Sequence, residues 1–171
     1  MSFLTFPLLP VHKKEQFACG KALLDEYLHR QAKLDVKRML SACFVLPNDE
    51  NEIKGYNTLS AASIERSVLP EAIMRKLPPS YSDLPVILMG RLAVSINHQG
   101  AGLGELLLLD ALKRSLLTSR EVGSMAVIVD PIDEAAVRFY ERYEFLLLPD
   151  SGKMFLPMVT ISRLFPNPEL P

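Results

Sequence analysis

The clearest chemical pattern in the sequence is a set of glycines at alternate positions, Gly100, Gly102 and Gly104, which follow Gln99 and lead into a leucine-rich segment. Alternate glycines let a backbone approach a ligand without Cβ atoms in the way. The free N–H groups of such a turn, added to those of a following helix, form an anion site. We therefore predict that residues 99–104, called the glycine turn below, bind a pyrophosphate.

Two alternative roles for the glycine turn stay open. A dinucleotide-binding fingerprint is spaced G-x-G-x-x-G, whereas the third glycine here comes one residue early, although the next predicted strand ends in Asp130, as a ribose-binding acid would. The glycines could also serve only to pack a helix against a strand. A Walker loop is excluded, because no Lys-Ser or Lys-Thr pair follows the glycines.

The elements that must position this turn alternate between strands and helices. Prolines and glycines separate the apolar runs, and the predicted order is β-α-β-β-loop-β-α-β-α-β-β. A βαβ unit over 86–129 indicates an α/β fold with a mixed sheet. The predicted strands are 3–9, 41–46, 53–64, 86–94, 125–129, 145–148 and 154–161. The predicted helices are 15–38 split at Gly20, 71–77, 103–118 with polar positions 105, 110, 113 and 114, and 134–143.

Length and composition limit the class of protein. The chain has 171 residues and a mass of 19.1 kDa, with 49% hydrophobic and 23% charged residues, which predicts one domain and excludes intrinsic disorder. The formal net charge is −1, so contact with nucleic acid would need a local basic patch. Cys19 and Cys43 are too few for a disulfide framework or a zinc site. No run resembles a signal peptide or a membrane span, and we expect a cytoplasmic protein without a metal.

Two segments on either side of the glycine turn strengthen its interpretation. Residues 90–94 read Gly-Arg-Leu-Ala-Val, and residues 136–145 read Ala-Val-Arg-Phe-Tyr-Glu-Arg-Tyr-Glu-Phe. Together with the turn they resemble the acetyl-CoA pyrophosphate loop and the A-x-x-F-Y-x-x-x-G-F element of GNAT-family N-acetyltransferases. Glu144 stands where that family usually has glycine.

More particularly, the chain is similar to the GNAT toxins of bacterial toxin–antitoxin pairs, in which Asp often stands where this chain has Ser95. The segments that match are 17–21, 24–28, 55–56, 90–94, 99–104 and 107–111. The resemblance implies one GNAT acetyltransferase domain over 1–165, with a mixed, mostly antiparallel sheet flanked by helices, and a ribbon-helix-helix antitoxin as a partner. The sequence Pro-Asn-Pro-Glu-Leu-Pro predicts a flexible tail over 166–171, and we expect a homodimer formed by the apolar strip and the C-terminal strands.

Acetyl-CoA is the acetyl donor that the resemblance implies. The residues expected to bind it are Leu92, Ala93, Val94, Gln99, Gly100, Ala101, Gly102, Leu103 and Gly104. The Val94 N–H would polarise the thioester carbonyl. Tyr140 would act as general acid, because its ordinary pKa of about 10 exceeds the roughly 8.5 of a thiol. The alternative for Tyr140 is a core position, since it shares an aromatic helical stripe with Phe139 and Tyr143.

The acceptor is less defined by the sequence. The resemblance implies the α-amino group of aminoacyl-tRNA, whose pKa of about 7.7–8 leaves it partly neutral at pH 7 without a strong base. The three histidines are predicted to be solvated, with Glu65 as the base if one is needed. The basic residues expected to contact tRNA are Arg30, Lys33, Lys37, Arg38 and Arg91. A solvated helix flank is the alternative for them, and a small-molecule amine, a protein N-terminus or a non-catalytic CoA-binding module are the alternatives for the function.

Overall fold

The computed structural model describes residues 3–167. Its strands are β1 (Phe6–Pro7), β2 (Ala42–Pro47), β3 (Ile53–Glu65), β4 (Asp83–Val94), β5 (Ala126–Val129), β6 (Leu146–Leu147) and β7 (Met154–Pro157). Its helices are α1 (Ala22–Glu26), α2 (Ala32–Lys37), α3 (Glu71–Met74), α4 (Leu103–Glu121), α5 (Glu134–Glu141) and α6 (Met158–Leu164). A π turn (Tyr27–Gln31) joins α1 to α2, and short 3-10 turns cover Arg66–Val68 and Ile96–His98.

The strands form a sheet in the order β1-β2-β3-β4-β5-β7-β6. β4 and β5 are parallel, with Ile87 opposite Val127, and α4 connects them. The pairs β1–β2, β2–β3, β5–β7 and β6–β7 are antiparallel. The predicted α/β fold, with a mixed and mostly antiparallel sheet and a parallel βαβ unit over 86–129, is confirmed.

The described residues divide into two compact units. The first covers 3–60 and 89–114, and its core includes Leu28, Val45 and Tyr56. The second covers 61–88 and 115–167, and its core includes Val86 and Phe155. One domain over 1–165 stays a prediction, and most of the predicted tail, residues 168–171, lies outside the described part of the chain.

The first predicted helix, over 15–38, is wrong at its start. Gly20 has a φ of +91°, and helix α1 begins two residues later. The Cys19 N–H donates to the Asp25 carboxylate over 2.8 Å, a contact that holds the extended entry into the helix. Residues 22–37 then run as one helical stretch through the π turn, so Gly20 precedes the helix instead of dividing it.

The last predicted strand, over 154–161, is also partly wrong. The strand ends at Pro157, and residues 158–164 form α6. The Met158 N–H donates to the Met125 carbonyl over 2.8 Å, and the buried side chains of Met158 and Ile161 are spaced as on one helix face. Apolar residues so closely spaced fit a strand and a helix equally well, which is why the sequence pattern misassigned them.

The predicted polar face of α4 is largely covered by the N-terminal segment. The Asp110 carboxylate accepts the Leu4 N–H over 2.6 Å and also binds Thr5. The Arg114 guanidinium lies 3.8 Å from the ring centroids of both Phe3 and Phe44. Buried carboxylates need hydrogen-bond donors, and here the N-terminal main chain supplies them.

No helix in the described range is long and apolar enough to cross a membrane. Cys19 and Cys43 are both buried free thiols.

Candidate functional site

The glycine turn joins the end of β4 to the start of α4, as predicted. Gly100 has a φ of +80° and Gly102 a φ of +78°, values that L side chains rarely adopt. A Cβ placed on either residue would meet no atom within 4 Å, so the turn needs glycine for its backbone conformation and leaves its surface open.

The main chain of the turn presents unused donors. Within residues 3–167, no acceptor binds the N–H groups of residues 100–105, whereas the Leu106 N–H already donates to the Gly102 carbonyl. These amides lie just before and within the first turn of α4, a helix of 19 residues, and a helix N-terminus carries partial positive charge. The arrangement fits the diphosphate of coenzyme A, which such amides can hold without side chains.

Gln99 supports this turn through its side chain. The Gln99 Nε2 donates to the Val94 carbonyl over 2.9 Å and to the Cys19 carbonyl over 2.8 Å. The Ile96 N–H also donates to the Ala18 carbonyl over 2.8 Å. The side chain predicted to bind the cofactor therefore ties the turn to β4 and to residues 18–19, and sequence reasoning missed this second anchor.

Gly55 lets β3 approach the end of β4 and the first turns of α4. A Cβ on Gly55 would lie 2.5 Å from Leu107 Cδ1 and 3.0 Å from the Ala93 carbonyl oxygen. Ala93 is buried, and Leu92 and Val94 beside it are half-buried. The structure thus brings the predicted binders of residues 92–94 and 99–104 together in the first unit. Gly55 and Leu107 lie in segments that the resemblance marked, but their close contact was not predicted from the sequence.

Tyr140 lies in the second unit, on α5, and is buried. Its ring contacts Phe139 and Phe145, with centroid distances of 5.2 and 5.1 Å. Burial raises the pKa of the Tyr140 hydroxyl well above its usual value, so the group stays protonated. Its hydroxyl makes no hydrogen bond to any residue that the structure describes. A protonated, uncommitted hydroxyl is what a general acid requires.

In the turn after Tyr140, Glu144 adopts a backbone conformation that is usual for glycine. Glu144 has a φ of +67°. The Phe145 N–H donates to the Tyr140 carbonyl over 3.2 Å, and the Glu144 N–H to the Glu141 carbonyl over 3.1 Å. These two bonds are those of a Schellman motif, in which glycine usually takes the left-handed position. The substitution thus leaves the local turn intact at the expense of backbone strain.

The predicted basic residues are exposed on the first helical stretch, residues 22–37, and at its end. None of them forms an ion pair within the described chain; they are Arg30, Lys33, Lys37 and Arg38. Arg91 joins the same stretch from β4, because its guanidinium lies 3.4 Å from the centroid of the Tyr27 ring. The Tyr27 hydroxyl donates to Asp35 over 2.9 Å and therefore does not bind Arg91. The Arg91 guanidinium makes no hydrogen bond to any other described residue.

The prediction that all three histidines are solvated is wrong. His12 is buried, and its Nδ1 accepts the Leu9 N–H over 3.0 Å. His29 contacts the Phe17 carbonyl through Nε2 over 2.7 Å, and His98 is half-buried. Glu65 is exposed at the end of β3 and accepts a hydrogen bond from Ser67. The described residues contain no group of three or more His, Cys, Asp and Glu side chains that could hold a metal ion.

Comparison with known proteins bears on the family and the fold of the chain. No family profile matches the sequence. A tRNA-acetylating toxin from Mycobacterium tuberculosis (strain ATCC 25618 / H37Rv) is 33% identical over 133 residues, which are 78% of each protein. The structure of AtaT complexed with acetyl-methionyl-tRNAfMet has a TM-score of 0.86 and 25% identity, covering 96% of this chain and 99% of that one. The crystal structure of AtaTR bound with AcCoA has a TM-score of 0.82 and 27% identity, covering 94% of this chain and 96% of that one.

The fold is that of a GNAT N-acetyltransferase. Within that class, the chain belongs to the family of tRNA-acetylating toxins.

Proposed function

We propose that this protein transfers the acetyl group of acetyl-CoA to the α-amino group of aminoacyl-tRNA and thereby blocks translation. The observation that carries the proposal is the open glycine turn, with its unbound amides at the start of α4, in a chain 33% identical to a tRNA-acetylating toxin. An aminoacyl-tRNA whose amino group is acetylated cannot accept a growing peptide, and toxicity to the cell would follow from that block.

The donor would be held mainly by the main chain. The amides of residues 100–105 would bind the diphosphate, while Gln99 keeps the turn in shape through its contacts with residues 94 and 19. The backbone of Leu92, Ala93 and Val94 would pair with the pantetheine arm, and the Val94 N–H would polarise the thioester carbonyl. Bound acetyl-CoA supplies the activated acetyl group.

Tyr140 would donate a proton to the departing sulfur. Its raised pKa keeps the hydroxyl protonated over the whole physiological range, and its lack of an internal partner within the described chain leaves it available. A partly neutral α-amine needs no strong base, which agrees with the contacts that engage one ring nitrogen each of His12 and His29.

The acceptor end would follow the basic residues of the first helical stretch. Arg30, Lys33, Lys37 and Arg38 would contact phosphates, and Arg91 would add a guanidinium supported by the Tyr27 ring. We further propose a cytoplasmic location, where charged tRNA is found, a single functional domain over 1–165, a homodimer, and neutralisation by a ribbon-helix-helix antitoxin.

Incubation with acetyl-CoA and total aminoacyl-tRNA, followed by mass spectrometry of the released amino acids, tests the reaction. We expect N-acetylated amino acids, and their absence while a small amine or a protein N-terminus is acetylated would overturn the choice of acceptor. A chain that binds acetyl-CoA but acetylates none of these acceptors would be a binding module.

Tyr140→Phe tests the general acid. The variant should bind acetyl-CoA like the parent but lose about 10²- to 10⁴-fold in turnover, the usual contribution of general acid catalysis. Tyr81→Phe, at an exposed tyrosine, is the matched control and should keep full turnover. A Tyr140→Phe enzyme as fast as the parent would remove the tyrosine from the reaction.

A further inference from the structure

A cavity of about 270 Å³ lies beside the first helical stretch, and of its wall residues only Lys33 has been assigned to a site so far. Residues 8–15 form most of its wall, and Lys33 and Val36 of α2 complete it. Its volume is just below the roughly 300–1,000 Å³ of typical small-molecule sites. It therefore has room for a phosphate and an attached sugar, but not for a large cofactor.

His12 gives this cavity a buried hydrogen-bond donor. The side chain is 7% exposed, and its Nδ1 accepts the Leu9 N–H, so the proton of the neutral ring resides on Nε2. Burial lowers the pKa of the ring and keeps it neutral. No residue within the described range accepts a hydrogen bond from Nε2.

The charge of the lining favours an anion. Lys13, Lys14 and Lys33 oppose one carboxylate, that of Glu15. The Lys14 Nζ is already bound to the His29 carbonyl over 2.6 Å. The ammonium groups of Lys13 and Lys33 form no ion pair inside the described chain, which leaves both to an incoming ligand.

The wall is fixed in place by contacts with the π turn. Lys14 binds the carbonyl of His29, and the ring of His29 contacts the Phe17 carbonyl. On the other side, the Lys13 N–H donates to the Asn51 carbonyl over 2.8 Å. π turns within helices are rare and occur often at functional sites, which gives this irregular turn a purpose in shaping the cavity.

We propose that this cavity, called the lysine cavity, binds a phosphate of the tRNA backbone. The phosphate oxygens would accept from His12 Nε2 and from the ammonium groups of Lys13 and Lys33, with the sugar against Val36. Lys33 also belongs to the basic residues of the helical stretch, so the cavity extends that track. The inference rests on the proposed function for the identity of the nucleic acid.

Binding of uncharged tRNA, measured by fluorescence anisotropy from 50 to 300 mM salt, tests the cavity without any acetyl transfer. Lys13→Glu should weaken binding about tenfold and lower the salt slope by about one. Glu15→Gln should tighten binding about twofold to fivefold, because it removes the opposing charge. Lys76→Glu, at an exposed lysine of the second unit, makes the same change in net charge and should have less than a twofold effect.

The NMR signals of the His12 ring identify the source of the phosphate. Titration with uncharged tRNA should shift them at micromolar concentration, while inorganic phosphate shifts them only at millimolar concentration. Shifts with inorganic phosphate alone would assign the cavity to a small phosphate compound and overturn the tRNA proposal. Unchanged His12 signals, or a Lys13→Glu protein that binds tRNA like the parent, would overturn it as well.

The two proposals fail separately. A parent protein that binds tRNA with the predicted His12 shifts but acetylates no aminoacyl-tRNA refutes the proposed reaction and leaves the cavity in place. A parent protein that acetylates aminoacyl-tRNA, with a KM that Lys13→Glu and Glu15→Gln do not change, refutes the cavity and leaves the reaction in place.

Discussion

Replacing Gly55 by alanine tests whether the close contact of β3, β4 and α4 shapes the cofactor site. The new Cβ would lie 2.5 Å from Leu107 Cδ1 and 3.0 Å from the Ala93 carbonyl oxygen, whereas carbon atoms in contact stay about 3.5–4.0 Å apart. Leu107 is 0% exposed, so its side chain is enclosed by other protein atoms. The start of α4 must therefore shift by about 1 Å, or the leucine must leave its rotamer.

The expected magnitude follows from this overlap. Overpacking of a well-filled core costs about 1–3 kcal/mol, and 1 kcal/mol changes Tm by roughly 2–4 °C in a chain of this length. We expect Gly55→Ala to lower Tm by about 2–12 °C. We expect about 1.4 kcal/mol of this strain to distort the glycine turn, which lowers the affinity for acetyl-CoA about tenfold.

Thermal unfolding by circular dichroism and titration calorimetry with acetyl-CoA measure the two effects. Gly123→Ala is the matched control, because a Cβ there meets no atom within 4 Å, and it should leave both values unchanged. Adding Leu107→Val to Gly55→Ala removes part of the overlap and should restore affinity relative to the single variant. A Gly55→Ala protein with the Tm and the acetyl-CoA affinity of the parent would refute the proposed effect of the packing.

Three further changes test other features of the structure. Glu144→Gly should raise Tm by about 1–4 °C with turnover unchanged, because glycine adopts the left-handed backbone conformation of this position without strain. A lower Tm in calorimetry would show that Glu144 does not strain the backbone. Arg66→Ala should make residues 66–82 about tenfold more sensitive to limited proteolysis. The Arg66 guanidinium donates to three carbonyl oxygens of this segment, at 2.6, 2.7 and 3.0 Å. An unchanged cleavage rate would show that the segment does not depend on these hydrogen bonds. Burial raises the pKa of Cys19 to about 11 and that of Cys43 to about 12, so both thiols should resist a disulfide reagent at pH 8 in the folded protein. The unfolded thiols lose their protons first, so the free energy of unfolding should fall from about pH 9 upward in urea titrations, and a slope unaffected by Cys43→Ala would count against this cause.

The sequence was sufficient where a local pattern determines a local structure. The apolar run of β4, the glycines that follow it and the leucine-rich α4 each carry a short-range signal, and together they place the glycine turn correctly. The Schellman motif was predicted only in part. The resemblance showed that position 144 usually holds glycine, but the sequence did not indicate whether glutamate would adopt a positive φ there.

Contacts between distant parts of the chain were beyond the pattern. The Gln99 side chain meets the Cys19 carbonyl 80 positions away, and no periodicity encodes such a pairing. The burial of His12 has the same cause, since it depends on residues 8–15 folding against the first helical stretch. The strand prediction for residues 158–161 was wrong for another reason. Their apolar spacing fits both a strand and a helix, and the helix begins directly after Pro157.

The clasp of the N-terminal segment on α4 has a practical consequence for expression of the protein. Because the main chain at residues 4 and 5 supplies donors to the buried carboxylate of Asp110, a start codon placed a few residues downstream would remove those donors and leave the carboxylate with the Arg114 guanidinium 3.9 Å away. An affinity tag fused directly ahead of Phe3 would crowd the aromatic sandwich around Arg114. Cloning designs should keep residues 3–5 and attach any tag through a flexible spacer.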